Sequence, residues 1–223
     1  MKVTFLVPAY NESATIGEVL SRIAQLDLDT EVIVIDDGSK DDTAAIAEAH
    51  GATVITKANG GKGSALRAGI PAITGDIAVI QDADMEYDPF EVPGLIQPIL
   101  DGVADVVLGS RLSGGRPQRV YLFWHLVGNK FLSLLTNILF NTTISDMETG
   151  YKAFRSDVLK SLDLKENKFG IEPEITGKIC RKKLRIYELP ISYYGRTYDE
   201  GKNITWRDGF RAIWVLFRVR IFG

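Results

Sequence analysis

"IAVIQDADMEYDP", residues 77–89, runs through an apolar stretch of strand length and then sets Asp82, Asp84, Glu86 and Asp88 on alternate positions. An unbroken Ile/Ala/Val run of this kind suits a strand buried on both faces, as in a parallel sheet covered by helices. The same grammar recurs along the chain. Strand-length runs "VTFLV", "EVIVID", "TVIT", "DIAVIQ" and "DVVLGS" alternate with segments of helical period such as "ATIGEVLSRIAQL" and "GSALRAGIPAI". The alternation predicts βαβ units and an α/β fold, a mainly parallel sheet flanked by helices, at least through residue 110.

In such sheets ligands bind beyond the carboxyl ends of the strands. The first strand runs into Pro8, Tyr10, Asn11 and Glu12, the second into Asp36 and Asp37, the fourth into Asp82 and Asp84, and the fifth into Arg111. Four polar clusters are therefore expected on one rim. Carboxylates gathered there repel one another unless a cation sits among them. Asp82 and Asp84, two apart at a strand end, point to the same side, which suits Mg²⁺ or Mn²⁺ with Glu86 as a third candidate ligand. Mg²⁺ is usually completed by substrate phosphates, so a metal here implies a phosphorylated substrate. By themselves the acids read equally well as solvated turn residues.

Composition sets the outer bounds. With 223 residues, 45% hydrophobic and 25% charged, the chain has enough material for one full core, and its formal charge of −3 argues against a nucleic-acid partner. A lone cysteine, Cys180, excludes an intramolecular disulfide, and the apolar run before "PAYNE" is too short for a signal peptide. A reducing, cytoplasmic setting is the expectation. Neither Cys180 nor His125 has a catalytic partner visible in the sequence.

The strings "FLVPAYNE", "VIVIDDGSKDDT", "ANGGKGSALRAG", "AVIQDADMEYDP" and "VLGSR", in this order and at strand ends, closely resemble the inverting family 2 glycosyltransferases of GT-A fold. Within that family the likeness is nearest to polyprenyl-phosphate sugar synthases, of which dolichyl-phosphate mannose synthase is the familiar member. It continues through "DMETGYKAFR" and "FGIEPEITGKI" to "ELPISYYGRTYDEGKNITWRDGFRA", nearly the whole chain. The resemblance implies a single glycosyltransferase domain over 1–223, with a nucleotide-sugar half at 1–112 and an acceptor half at 113–223. It implies that Pro8, Tyr10 and Glu12 border the nucleotide, that Asp37 with Asp36 contacts base or ribose, and that Asp84 is the main metal ligand, with Asp82 and Glu86 completing the set. Locally, "DDGSKDDT" also reads as a turn, with Ser39 and Asp42 spaced as a capping box.

The segment "NGGKGSALRAG" lacks the spacing of a P-loop or a dinucleotide fingerprint. Gly60, Gly61 and Gly63 allow close backbone approach at a helix start, and the resemblance puts this loop and Lys62 near the nucleotide; a plain turn before a helix fits as well. Transfer from a nucleotide diphosphate sugar needs stabilisation of the leaving diphosphate. A lipid monophosphate acceptor is already anionic and chiefly needs orientation, which arginine supplies. The resemblance points to Arg111, Arg116 or Arg119, and Arg196 for that task. A hydroxyl acceptor would instead need a base, and Asp146 stands about where hydroxyl-accepting relatives carry one.

Two segments address the membrane. Residues 120–140 have the length of a spanning helix but carry His125, Asn129, Lys130, Ser133 and Asn137, so an interfacial or core-packed helix is expected. The C-terminal "NITWRDGFRAIWVLFRVRIFG" reads as a basic amphipathic helix, with Trp206, Phe210, Ile213, Trp214 and Phe217 beside Arg207, Arg211, Arg218 and Arg220. The resemblance thus implies a metal-dependent inverting transferase moving hexose from GDP-mannose or UDP-glucose to polyprenyl phosphate, with peripheral binding at the cytoplasmic membrane face expected. Competing readings are a hydroxyl acceptor, a nucleotidyltransferase and a nucleotide-sugar-binding module.

Overall fold

The structure, a computed structural model, describes residues 1–120, 122–196 and 206–222, the side chains of Trp206 and Arg207 excepted. Residues 197–205 of the quoted C-terminal motif, and those two side chains, lie outside the described residues. Strands β1 (Val3–Ala9), β2 (Thr30–Asp36), β3 (Thr53–Thr56), β4 (Ile77–Ile80), β5 (Val106–Ser110), β6 (Lys152–Arg155) and β7 (Ile186–Pro190) form one sheet in the order β3-β2-β1-β4-β6-β5-β7. All pairs are parallel except those of β6, which runs antiparallel to both β4 and β5. The expected α/β class is the one observed. Because β6 and β7 come from beyond residue 112, the two halves of the chain share this one sheet.

Both faces of the sheet are buried, as its apolar strands require. On one side Phe5 and Val7 pack with Ile16, Val19 and Ile23 of α1 (Ile16–Ala24) and Leu95 and Ile96 of α4 (Val92–Leu100). On the other, Leu6, Ile33 and Ile80 pack with α3 (Lys62–Gly69), α7 (Ile171–Arg181) and α8 (Trp206–Phe222). Helices α2 (Thr43–Ala49), α5 (Phe123–Phe140) and α6 (Ser156–Lys160) complete the layers. The Ser39–Asp42 capping box does not form. Asp42 precedes α2 without a side-chain cap, and the Ser39 hydroxyl instead accepts the Asn11 N–H at 2.9 Å.

The C-terminal helix departs from its expected role. Ala212, Val215, Leu216 and Val219 are buried, a helical-period stripe locked into the core, each large one worth roughly 1.5–3 kcal/mol. Arg211 pairs with Glu166 at 2.9 Å, and Arg218 with Glu166 at 2.8 Å and Glu174 at 3.1 Å. Those two arginines clamp α8 to the domain rather than facing a lipid surface. Outward, α8 shows the apolar side chains of Phe210, Trp214, Phe217 and Ile221 together with the exposed Arg211 and Arg220. Helix α5 behaves likewise. Its Ser133 and Asn137 bond inward to the backbone of Met147 and Ile144, while Phe123, Trp124 (77% exposed), Val127, Phe131, Leu134 and Ile138 face out.

Candidate active site

The loops after β1 and β2 are tied together at the carboxyl rim. Asn11, in a left-handed turn at φ 55°, accepts the Lys40 N–H at 2.8 Å, and the Glu12 N–H reaches the Thr43 hydroxyl at 2.8 Å. Pro8 lies near the end of β1 and Tyr10 stands 44% exposed just past it. Asp36 is buried and accepts the Ser39 N–H at 3.0 Å. Asp37, also buried, is ringed by protein donors: Lys57 Nζ at 2.6 Å and the N–H groups of Gly60 and Gly61, the latter at 2.6 Å. The glycine loop is therefore shaped around Asp37. A Cβ on Gly63 would stand 2.4 Å from the Glu166 carbonyl oxygen, so that glycine serves the packing of α3 on the 166–168 segment.

The four acids after β4 separate into different roles. Asp82 pairs with Lys62 Nζ at 2.6 Å, and the same ammonium reaches Glu172 at 3.1 Å. Burial alone would lower Lys62, but the charges of Asp82 and Glu172 hold its affinity for the proton well above the ordinary value. Gly150 makes this approach possible, since a Cβ there would lie 2.7 Å from Asp82 and 2.8 Å from Lys62. The Asp84 carboxyl is pushed up to about 7, first by burial and then by the charges of Asp82 and Glu86. Glu86 accepts the Tyr193 hydroxyl at 2.8 Å and the Arg196 N–H at 2.6 Å. Asp88 caps the turn that follows and accepts the Phe90 N–H.

The arginines divide as sharply. Arg196 binds both oxygens of Glu12, at 3.1 and 2.9 Å, and the carbonyl of Asp84 at 2.7 Å. Arg111 Nε and Nη2 grip the two oxygens of fully buried Asp146 at 2.7 and 2.8 Å, and its guanidinium lies over the Tyr193 ring at 5.1 Å. Asp146 is thus the committed partner of Arg111 rather than an open base, and two of that guanidinium's nitrogens are occupied. Arg119 donates to the Gly195 carbonyl at 3.0 Å, whereas Arg116 is exposed near Glu91. Tyr193 and Arg196 join the loops after β1, β4 and β5, and the loop after β2 is tied to them through its bonds to Asn11 and Glu12.

Several contributors were not singled out from the sequence. Tyr87 stacks on Tyr151 at 5.1 Å and tilts against Tyr193, making an aromatic floor under the acids. Buried Lys152 bonds to Glu172 and the Thr149 carbonyl. The Glu148 carboxyl is pushed up to about 7 by burial and by Glu172, and one of its oxygens is buried without a hydrogen-bond partner. The visible signal for Glu172 was an acid at a buried position of the helix start in "FGIEPEITGKI"; the lysines it joins are remote in sequence.

Among the described residues no three His, Cys, Asp or Glu side chains converge to hold a metal. Two rim carboxylates, Asp82 and Asp84, remain, and the repulsion recorded in the raised Asp84 carboxyl is what a cation would relieve. That donor set fits a hard divalent ion completed by substrate phosphate oxygens.

The model of the family described as Glycosyl transferase family 2 matches residues 4–163. The chain belongs to glycosyl transferase family 2. It is 30% identical over 250 residues to the undecaprenyl-phosphate mannosyltransferase of Micrococcus luteus, covering 99% of each chain. It is 33% identical over 187 residues to the dolichyl-phosphate hexose transferase of Haloferax volcanii, covering 84% of this chain and 80% of that one. Among solved structures, glucosyl-3-phosphoglycerate synthase of Mycobacterium tuberculosis, crystallised with Mn²⁺, UDP and glucosyl-3-phosphoglycerate, superposes with a TM-score of 0.76 at 26% identity over 98% of this chain and 79% of that one. The family 2 transferase is accordingly a hexosyltransferase-type enzyme of GT-A fold, among relatives that act on polyprenyl phosphates and a structural neighbour that binds Mn²⁺.

Proposed function

We propose that this family 2 enzyme moves a hexose from a nucleotide diphosphate sugar, GDP-mannose or UDP-glucose, to polyprenyl phosphate with inversion. The observation that carries the reading is the juxtaposition of Asp84, a carboxyl crowded by like charge, with the Arg196 guanidinium against its carbonyl. Asp84, assisted by Asp82, would hold Mg²⁺ or Mn²⁺, which when bound neutralises charge developing on the leaving diphosphate. Pro8, Tyr10 and Glu12 border the nucleotide, and Asp36 and Asp37 shape its base-side wall through the loops they hold. Lys62 keeps Asp82 in place from below. Arg196 and Arg111 orient the acceptor phosphate, Arg111 through the nitrogen that Asp146 leaves free. An anionic monophosphate needs no base, in keeping with Asp146 being spent on Arg111.

The outward apolar faces of α5 and α8 support peripheral contact with the bilayer in which a polyprenyl acceptor resides, on the cytoplasmic side. No described helix is long and apolar enough to cross a membrane. A second reading, transfer to the hydroxyl of a small phosphorylated acceptor, is favoured by one observation, the unpartnered Glu148 oxygen, which could serve as base. The test is nucleoside diphosphate release from a panel of sugar nucleotides with Mg²⁺ or Mn²⁺, in the presence of undecaprenyl phosphate or of 3-phosphoglycerate. Release stimulated by the lipid phosphate supports the proposal; release stimulated by 3-phosphoglycerate alone selects the second reading; pyrophosphate as the product would indicate nucleotidyl transfer.

A further inference from the structure

Glu86 follows the two aspartates at the same alternate spacing, yet its surroundings differ from theirs. Its Oε2 accepts the Tyr193 hydroxyl at 2.8 Å, its Oε1 accepts the Arg196 N–H at 2.6 Å, and its carbonyl accepts the Tyr194 N–H at 3.0 Å. One residue of the acid loop therefore holds the whole 193–196 segment. Met85, just before it, sits in left-handed backbone at φ 62°, an uncommon conformation for a side chain of its size, and turns the loop there. Each Glu86 oxygen already accepts one hydrogen bond, so a metal would have to share the carboxylate with the Tyr193 hydroxyl and a main-chain N–H, in competition with its hold on residues 193–196.

The segment it holds is a wall. Tyr193 pairs with the 117–119 stretch, donating its N–H to the Pro117 carbonyl at 3.1 Å and accepting the Arg119 N–H at 3.0 Å. Pro117, Gln118, Arg119, Tyr193 and Tyr194 line an open cleft of about 370 Å³. The Arg196 guanidinium, at the end of the same segment, reaches back to Glu12 and Asp84. We infer that Glu86 is a positioning residue for the acceptor side of the site, fixing the Tyr193 wall and Arg196 relative to the Asp82–Asp84 rim, and is not a metal ligand. Its assignment to the acceptor rests on the proposed function; its separation from the metal does not.

The test compares E86Q, E86A and D84N with the unaltered protein. Glutamine can still accept from the Arg196 N–H and meet the Tyr193 hydroxyl, whereas alanine can do neither. Mn²⁺ binding, measured by electron paramagnetic resonance with Mn²⁺ alone, is expected to weaken about tenfold or more in D84N and by less than about threefold in E86A, which has no side-chain oxygen left to ligate. Hydrogen exchange at the Arg196 amide should quicken about tenfold in E86A and stay slow in E86Q. With undecaprenyl phosphate, E86A should raise the acceptor KM about tenfold while the KM for the sugar nucleotide moves less than about twofold, and E86Q should restore the acceptor KM. A loss of Mn²⁺ affinity in E86A greater than about threefold, or unchanged Arg196 exchange in E86A, overturns the inference; should E86A not fold, E86M carries the metal comparison and Y193F the KM comparison. Absence of any turnover with undecaprenyl phosphate in the unaltered enzyme counts against the acceptor reading, and the metal and exchange measurements still decide Glu86.

Discussion

Arg196 grips Glu12 through two contacts, Nη1 to Oε1 at 3.1 Å and Nη2 to Oε2 at 2.9 Å, joining the first motif of the chain to one of its last. Nη2 also lies 2.7 Å from the Asp84 carbonyl. A guanidinium so placed is pre-organised beside the acid rim, where a fork of N–H donors can meet phosphate oxygens.

Replacing Arg196 by alanine should lower kcat/KM for the phosphate acceptor about 10- to 100-fold, the worth of a charge-assisted hydrogen bond. Because the side chain is 23% exposed, the fold should lose no more than about 1 kcal/mol. Calorimetry with UDP and GDP checks the other side: nucleotide affinity should stay nearly constant, and a large loss would place Arg196 on the donor.

Asp146 gives a second test, because a buried ion-pair partner and a general base respond differently to removal. D146A leaves the Arg111 guanidinium buried and unpaired, and denaturant unfolding should report a loss of about 3–5 kcal/mol. An inactive D146A of unaltered stability would instead make Asp146 the base of a hydroxyl-accepting enzyme.

Acid should attack the amino-terminal end of the β1–β2 pair through Glu31. Burial alone would raise its carboxyl, but hydrogen bonds from the Thr4 and Thr74 hydroxyls, the Thr74 N–H and Lys2 bring it down to about 2. A carboxyl depressed on folding stabilises fully above its unfolded value, near 4.5, and the contribution disappears as pH falls from there toward 2. E31Q should therefore cost on the order of 1–3 kcal/mol at pH 7 and show a flatter loss of stability between pH 4.5 and 2. Parallel acid limbs for the two proteins would contradict this.

Membrane contact through α5 and α8 should be mainly apolar in character, since Arg211 and Arg218 are paired with Glu166 and Glu174 and the exposed aromatic and aliphatic side chains outnumber the exposed Lys130 and Arg220. Co-sedimentation with vesicles should survive 0.5 M salt, where attraction between exposed charges is screened within about 4 Å. W124E combined with F131E should abolish it with little change in melting temperature, both side chains being exposed. Removing residues 203–223, by contrast, should unfold the protein, because Val215, Leu216 and Val219 are core. Release of the unaltered protein by salt would restore the electrostatic account of the C-terminal helix.

The parallel strands through residue 110 and the placing of polar clusters at their carboxyl ends were legible because buried parallel strands write continuous apolar runs and ligand-facing loops follow their carboxyl ends. What could not be read was which acid pairs with which base. Lys62 reaches Glu172, Arg111 reaches Asp146 and Arg196 reaches Glu12 across long stretches of sequence, and only the folded sheet sets those distances. The antiparallel β6 was hidden for a related reason: "KAFR" is four residues long, with no hairpin turn to announce its direction. The pairing of Arg211 and Arg218 was hidden because a basic amphipathic pattern reads the same whether its charges face headgroups or a buried pair of glutamates.

Transfer of labelled hexose into an organic-extractable product separates a lipid-phosphate acceptor from every water-soluble one. The protein is incubated with GDP-mannose or UDP-glucose, undecaprenyl phosphate and Mg²⁺ or Mn²⁺, alongside D84A and a metal-chelated control. Label is expected in the organic phase with at least one donor, lost in D84A and on chelation although D84A remains folded. Label confined to the aqueous phase, or lipid labelling that persists undiminished in folded D84A, would contradict it.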